Sequence, residues 1–232
     1  MTLTESTMSG PTLTTEFGSD GRRRIVVRIV DADDAPLTTA KAELIARGAR
    51  RALDQRIPFV CEFAANGPAA EEELAVTFAF GDAAKALTSC SGVVPTIGVL
   101  KGAAVAGPSL LFGLMDHVVI VDGSHAFVSG PAMVSEFTGV EFDQTELGGS
   151  AVLTSQAAPA RLPAPPIHDA HPLIDALLAG LPSSNGSSAP MVEPGDPSER
   201  ATPEAADHIP HTATGAYDVR DVIANVADDG LV

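Results

Sequence analysis

Two segments of this 232-residue chain place glycine where an apolar strand-like run gives way to a run of helical period: Ala64-Ala65-Asn66-Gly67-Pro68 and Gly102-Ala103-Ala104-Val105-Ala106-Gly107-Pro108. A helix leaves its first N–H groups without intrahelical acceptors and turns the positive end of its dipole toward them. Two such turns side by side can therefore hold a carbonyl oxygen on which negative charge develops. The donors would be the backbone N–H groups of Gly67, Ala106 and Gly107, an oxyanion hole built without side chains; Pro108 has no N–H to give. Glycine ahead of a helix also serves packing or turn geometry alone, and on spacing both readings stand.

The other residues able to do chemistry take structural readings. His168-x-x-His171 and His208-x-x-His211 have helical metal-ligand spacing, but both pairs lie beside prolines and lack an acidic or cysteine partner at a fixed offset, so no metal is expected. Cys61 sits in the apolar run IPFVCEF and reads as a small buried hydrophobe; with Cys90 it forms no C-x-x-C and no disulfide framework. Arg22-Arg23-Arg24 could meet a phosphate but reads first as a solubilising flank to a strand. Glu71-Glu72-Glu73 suits the first turn of a helix, and Asp116 a cap or turn before a strand. No Ser-His-Asp arrangement, Walker loop or G-x-G-x-x-G fingerprint is present.

The elements that must position the two turns alternate in type. Ile25 to Val30, Ile57 to Phe63, Val94 to Leu100 and His117 to Val121 read as strands; Thr39 to Gln55, Ala69 to Leu87 and Ser109 to Met115 read as helices. Such alternation implies right-handed β-α-β crossovers and a largely parallel sheet covered by helices, an α/β domain over residues 22–181. Residues 1–21 are rich in Thr, Ser and Gly without periodicity and are expected to form a flexible tail. The segment 157–166 cannot be a central strand or a helix interior, and Pro172 to Leu181 is one more short helix. Residues 182–216 read as an extended Pro/Ser/Gly-rich connector. In 217–232 the helical spacing of Val219, Val222, Ile223 and Val226 gives a last helix with an apolar stripe, stopped by Gly230.

A formal charge of -16 argues against nucleic acid or an anionic membrane surface as partner. The N-terminus lacks a basic start followed by an apolar core, and no run reaches the roughly 18 apolar residues of a membrane span. A cytoplasmic protein is expected.

Three segments together carry a resemblance: SGVVPTIGVLKGAAVAGPSLLFGLMDHVVIV (Ser91 to Val121), HAFVSGPAMVSEFTGVEFDQTELGGS (His125 to Ser150) and AYDVRDVIANVADDG (Ala216 to Gly230). They hold, in order, a V-P strand, a glycine turn, an F-x-x-G-P segment, E-L-G-G and a final Y-x-x-x-x-V/I-I helix. In this the chain resembles, over roughly residues 57 to 230, the carboxyltransferase β subunit of biotin-dependent acyl-CoA carboxylases of the propionyl-CoA carboxylase type. The resemblance implies a crotonase-like, or ClpP-like, spiral of β-β-α units. It also implies an acyl-CoA or acyl-carrier thioester as substrate, its enolate held by backbone N–H groups while a carboxyl group moves between carboxybiotin and the α-carbon. Biotin would be carried on a partner protein, with no cofactor permanently bound to this chain.

Departures from the family pattern bear on activity. Gly67 survives from S-G-G-A-R-x-Q-E, but Ala69 stands at the arginine's position; Ala106 and Gly107 stand where the family has two glycines. Beyond Glu146 to Gly149, Leu153 and Ala157-Ala158 stand where the family has a histidine and a Ser-Gly pair. The chain also stops at Val232, where the family's second crotonase-like domain would begin. Expected partners are therefore a separately encoded C-half subunit, or a second copy of this chain, together with a biotin carboxylase and carrier subunit. Three activities stay open: carboxyl transfer, biotin-independent decarboxylation of a malonyl-type thioester, and a non-catalytic assembly role.

Overall fold

The structure, a computed structural model, describes residues 10–29, 35–156, 161–163, 170–191, 193, 195–197, 199–212 and 214–228. In chain order these form β1 (Thr12–Phe17), β2 (Arg23–Ile29), α1 (Thr39–Gln55), β3 (Phe59–Asn66), a 3₁₀ turn (Ala70–Glu72), α2 (Glu73–Cys90), β4 (Thr96–Val105), α3 (Gly107–Phe112), β5 (His117–Ile120), β6 (His125–Phe127), α4 (Pro131–Thr138), α5 (Gln144–Gly148), α6 (Ser150–Gln156), β7 (Arg161–Pro163), α7 (His171–Ala179), α8 (Glu204–Asp207) and α9 (Val219–Val226). Two compact units result, Met1–Pro190 and Met191–Val232.

One sheet in the order β1-β2-β3-β4-β5-β7 organises the first unit, with β6 paired to the end of β4. Every pairing is parallel except β1 with β2. Side chains alternate across a strand, so each strand feeds two layers. Ile25, Val27, Phe59, Cys61 and Phe63 face α1 and α2 and make the larger core, while Val26, Val60, Ile97 and Val99 face Ile174 and Leu178 of α7. The expected α1 is present with its stated bounds: Thr38 Oγ1 accepts from Lys41 N–H at its start, and Arg56, in the left-handed region at φ 56°, donates to Ala52 and Leu53 carbonyls at its end.

Three expectations need correction. Residues 12–17 are not a loose tail but the antiparallel edge strand β1, and Glu16 is ion-paired to Arg28 of β2. The short edge strand TLTTEF has only Leu13 and Phe17 as apolar residues, too few to mark a period, yet its β-branched threonines suit a pleated edge. The helix expected from Ala69 starts later, after the 3₁₀ turn, because Glu73 lies at φ 49° and breaks the run. The connector expected over 182–216 is divided: Ser184 is buried and Asn185 N–H donates to Val93 carbonyl at 2.8 Å, which ties its first part to the turn before β4, and α8 interrupts the rest. Arg161–Pro163 forms a strand at the sheet's outer edge beside β5, where a proline is tolerated, in keeping with the expectation that this segment holds no central strand.

In the second unit Arg200 donates to the Asn225 and Ala227 carbonyls at the end of α9, and Asp218 caps its start. Val30, Ala157, Ala158, His168 and Gly230 lie outside the described residues.

Candidate functional site

Parallel pairing brings the two glycine turns together. Ala65 is registered with Ala104 and Asn66 with Val105, so Gly67 and Ala106 leave the carboxyl ends of neighbouring strands, about 4.8 Å apart. Gly67 has φ 81°, a value that requires glycine at no cost in space, since a side-chain carbon there would meet nothing within 4 Å. Its N–H donates to Ala65 carbonyl at 3.1 Å, a bent contact across one residue, and its own carbonyl accepts from Leu37 N–H at 2.8 Å. At the second turn Ala106 occupies φ 59°, ψ −130°, and its N–H donates to Phe127 carbonyl at 2.9 Å. That bond removes Ala106 from the expected donor set, because β6 has claimed it. The Gly107 N–H, first in α3, has no acceptor among the described residues, and the Phe80 ring lies against this glycine. Gly107 and, once its bent contact is released, Gly67 are the donors that remain.

Pairing of β3 with β4 is irregular just before these turns. Between Phe63↔Leu100 and Ala65↔Ala104, β3 passes Ala64 alone while β4 passes Lys101, Gly102 and Ala103. Beneath this bulge sits a charge cluster absent from the sequence reading. Glu62, 2% exposed, accepts from Arg28 Nε at 3.0 Å through Oε1 and from Lys101 Nζ through Oε2, and His171 Nε2 lies 3.6 Å from Oε1. Arg28 also grips Glu16; that hydrogen bond, the largest influence on each, holds the Glu16 carboxyl below its ordinary range and raises the Arg28 guanidinium. Two charges in otherwise apolar strand runs, IPFVCEF and TIGVLKG, were the available signal.

The remaining singled-out residues are structural. Asp116 Oδ2 accepts from Thr96 N–H and Thr96 Oγ1, as expected of a turn residue. Burial pushes the Cys61 thiol far up and the Cys90 thiol to about 11, the charges of Glu62 and Asp116 adding to each, so neither is a nucleophile at neutral pH. Arg22 donates to Leu181 and Leu178 carbonyls and Arg24 is buried against Asp175, so these arginines clamp β2 to α7 rather than solubilise a flank. Glu72 accepts from Thr39 N–H, serving the start of α1 instead of its own helix. The E-L-G-G run works by close approach: a carbon on Gly148 would fall 2.3 Å from Ala126 carbonyl, while Glu146 forms a capping box with Asp143. Leu153 packs on the larger core. His208 and His211 are exposed in the second unit, and among the described residues no group of three His, Cys, Asp or Glu could hold a metal ion. A cavity of about 250 Å³ lined by Val93, Pro95, Asp116 and Asn185 lies at the opposite, amino ends of β4 and β5. Among the described residues no helix is long and apolar enough to cross a membrane.

The mixed α/β fold on a largely parallel sheet is that of the crotonase-like carboxyltransferases. The chain belongs to the carboxyl transferase domain family, which matches residues 19–231. It is 32% identical over 190 residues to the carboxyltransferase subunit of propionyl-CoA carboxylase from Haloferax mediterranei, covering 82% of this chain and 37% of that one. It is 28% identical over 226 residues to methylmalonyl-CoA decarboxylase subunit alpha from Veillonella parvula, covering 96% and 44%. The crystal structure of transcarboxylase 12S with hydrolyzed methylmalonyl-coenzyme A bound superposes with a TM-score of 0.81 at 26% identity, over 94% of this chain and 43% of that one. The chain thus spans less than half the length of these relatives.

Proposed function

We propose that this chain is the acyl-thioester-binding half of an acyl-CoA carboxylase carboxyltransferase, working on an acyl-CoA or acyl-carrier thioester. The observation that carries the reading is the register of Asn66 with Val105, from which Gly67 and Ala106 follow at the carboxyl ends of β3 and β4, with the acceptor-free Gly107 N–H next along the chain. A thioester oxygen received there would be stabilised as the α-proton leaves and carboxyl arrives, because the donors are fixed before charge develops. Relatives named as biotin-dependent carboxylase subunits support carboxybiotin, on a partner protein, as the carboxyl donor. Cytoplasmic location, a separately encoded C-half and a biotin carboxylase and carrier subunit complete this reading.

Decarboxylation is the second reading, favoured by the methylmalonyl-CoA decarboxylase relative, which aligns with 96% of the chain. The same donors would stabilise the enolate left when CO2 departs. A non-catalytic assembly role is the third, and the Ala106 N–H already bonded within the fold favours it.

Co-expression with a candidate C-half, followed by carboxyl-transfer and decarboxylation assays, separates the three. Gly107→Pro, which deletes one donor, is expected to lower turnover by about two to three decades, and Gly107→Ala, which keeps it, to lower it far less. Equal turnover in both variants would place the chemistry elsewhere. An assembled but inactive wild type would establish the assembly role.

A further inference from the structure

The bulge that separates the two turns is held by side chains that the oxyanion reading does not use. At Gly102, φ 133°, β4 changes its outer partner from β5, at Leu100↔Ile120, to β6, at Ala103↔His125. A strand that skips in this way leaves backbone groups outside the ladder, and buried groups of that kind need partners. Ser124, 3% exposed, supplies one for Gly102 N–H, which donates to its Oγ at 3.0 Å, and its own hydroxyl bridges back to Leu100 carbonyl at 3.1 Å, beside the Val121 N–H that this carbonyl also accepts. Lys101, next in the bulge, is tied to Glu62 on β3, whose other oxygen Arg28 holds from β2. Hydrophobic residues of similar volume could fill the places of Glu62 and Lys101 at least as stably, but they would not fix one register.

We propose that Glu62, Lys101 and Ser124 are positioning residues, which fix how far β4 runs past β3 and so where the Gly107 N–H lies against the Gly67 turn. The magnitudes make register decisive. A slip of one residue moves Gly107 by about 3.3 Å along the strand, more than a hydrogen bond to one shared oxygen tolerates. This inference rests on the oxyanion reading of Gly67 and Gly107.

The test uses the full chain labelled with 15N and read by amide NMR, with propionyl-CoA as probe and CoA as control. In the wild type the Gly107 amide shifts with propionyl-CoA and not with CoA. Lys101→Met and Ser124→Ala keep cooperative unfolding and CoA binding, yet lose the Gly107 response and at least about tenfold of the preference for propionyl-CoA over CoA, the equivalent of one hydrogen bond. Lys101→Arg, which retains a cation for Glu62, retains both. Should Ser124→Ala not fold, Lys101→Met decides alone, since Lys101 is partly exposed and Arg28 still neutralises Glu62. A wild-type Gly107 indifferent to propionyl-CoA overturns the oxyanion reading and this inference with it. A responsive wild type whose Lys101→Met variant responds equally overturns this inference and leaves that reading standing.

Discussion

Thr96 and Asp116 hold one another reciprocally: Asp116 Oδ2 accepts from both the N–H and the hydroxyl of Thr96, and Thr96 Oγ1 accepts from Asp116 N–H, each at 2.9 Å. Thr96 opens β4 and Asp116 precedes β5, so the exchange pins the amino ends of two parallel strands, whereas the candidate site lies at the carboxyl ends of β3 and β4. Asp116→Ala strands the buried Thr96 donors and is expected to lower unfolding free energy by about 1–3 kcal/mol, seen as a lower urea midpoint at unchanged slope. Asp116→Asn, which keeps an acceptor, should cost less. A midpoint unmoved by Asp116→Ala would show that water replaces the carboxylate freely.

Ala106 at φ 59°, ψ −130° occupies a region that L-residues rarely adopt. Ala106→Gly should therefore stabilise the fold by about 1 kcal/mol, raising Tm by roughly 2–4 °C in a chain of this size. The family resemblance places glycine at this position, which the backbone now explains. A lower Tm would mean that the methyl group's packing outweighs its strain.

The alternation of strands and helices was legible because β2 to β5 are buried on both faces and read as continuous apolar runs. Gly67 and Gly107 were legible as turns, since the change from a strand period to a helix period falls on them. Three things were not. The edge strand β1 takes its pairing from Arg23–Ile29 rather than from a pattern of its own. The loss of Ala106 as a donor depends on Phe127, which only the β4–β6 pairing brings near. Ser124 is one serine in a turn sequence, and nothing local marks it as the residue that closes the bulge at Gly102.

Acid should loosen β1 before the rest of the sheet. Arg28 holds the Glu16 carboxyl below its ordinary range, so Glu16 binds protons less readily folded than unfolded. Its stabilising contribution is full above the unfolded value of about 4.3 and is lost as pH falls through the lower folded value. Facing it are Arg28, Arg24 and Thr14, with Glu62 beyond Arg28. Hydrogen exchange across Thr12–Phe17 should accelerate over that window in the wild type and be already faster at neutral pH in Glu16→Gln, a difference of the order of 1 kcal/mol. Exchange rates that Glu16→Gln leaves unchanged would assign the hold on β1 to its backbone pairing alone.

Association is expected from the apolar surface. No residue of α4 is buried; Phe137 is 91% and Met133 65% exposed, four apart and so on one side of the helix, with Val140 and Phe142 exposed just beyond. In the second unit Val219, Ile223 and Val226 of α9 are likewise exposed along one stripe. Large apolar residues grouped in this way mark partner sites more often than free surface. The full chain is expected to self-associate or to bind a separately encoded C-half, and Phe137→Ser with Met133→Ser should weaken that association while sparing the core, which these side chains do not touch. Size-exclusion chromatography with light scattering, on the chain alone and after co-expression, reads the outcome directly. A wild type that stays monomeric in both preparations, or one fully active in carboxyl transfer as a monomer, would show that these faces need no partner.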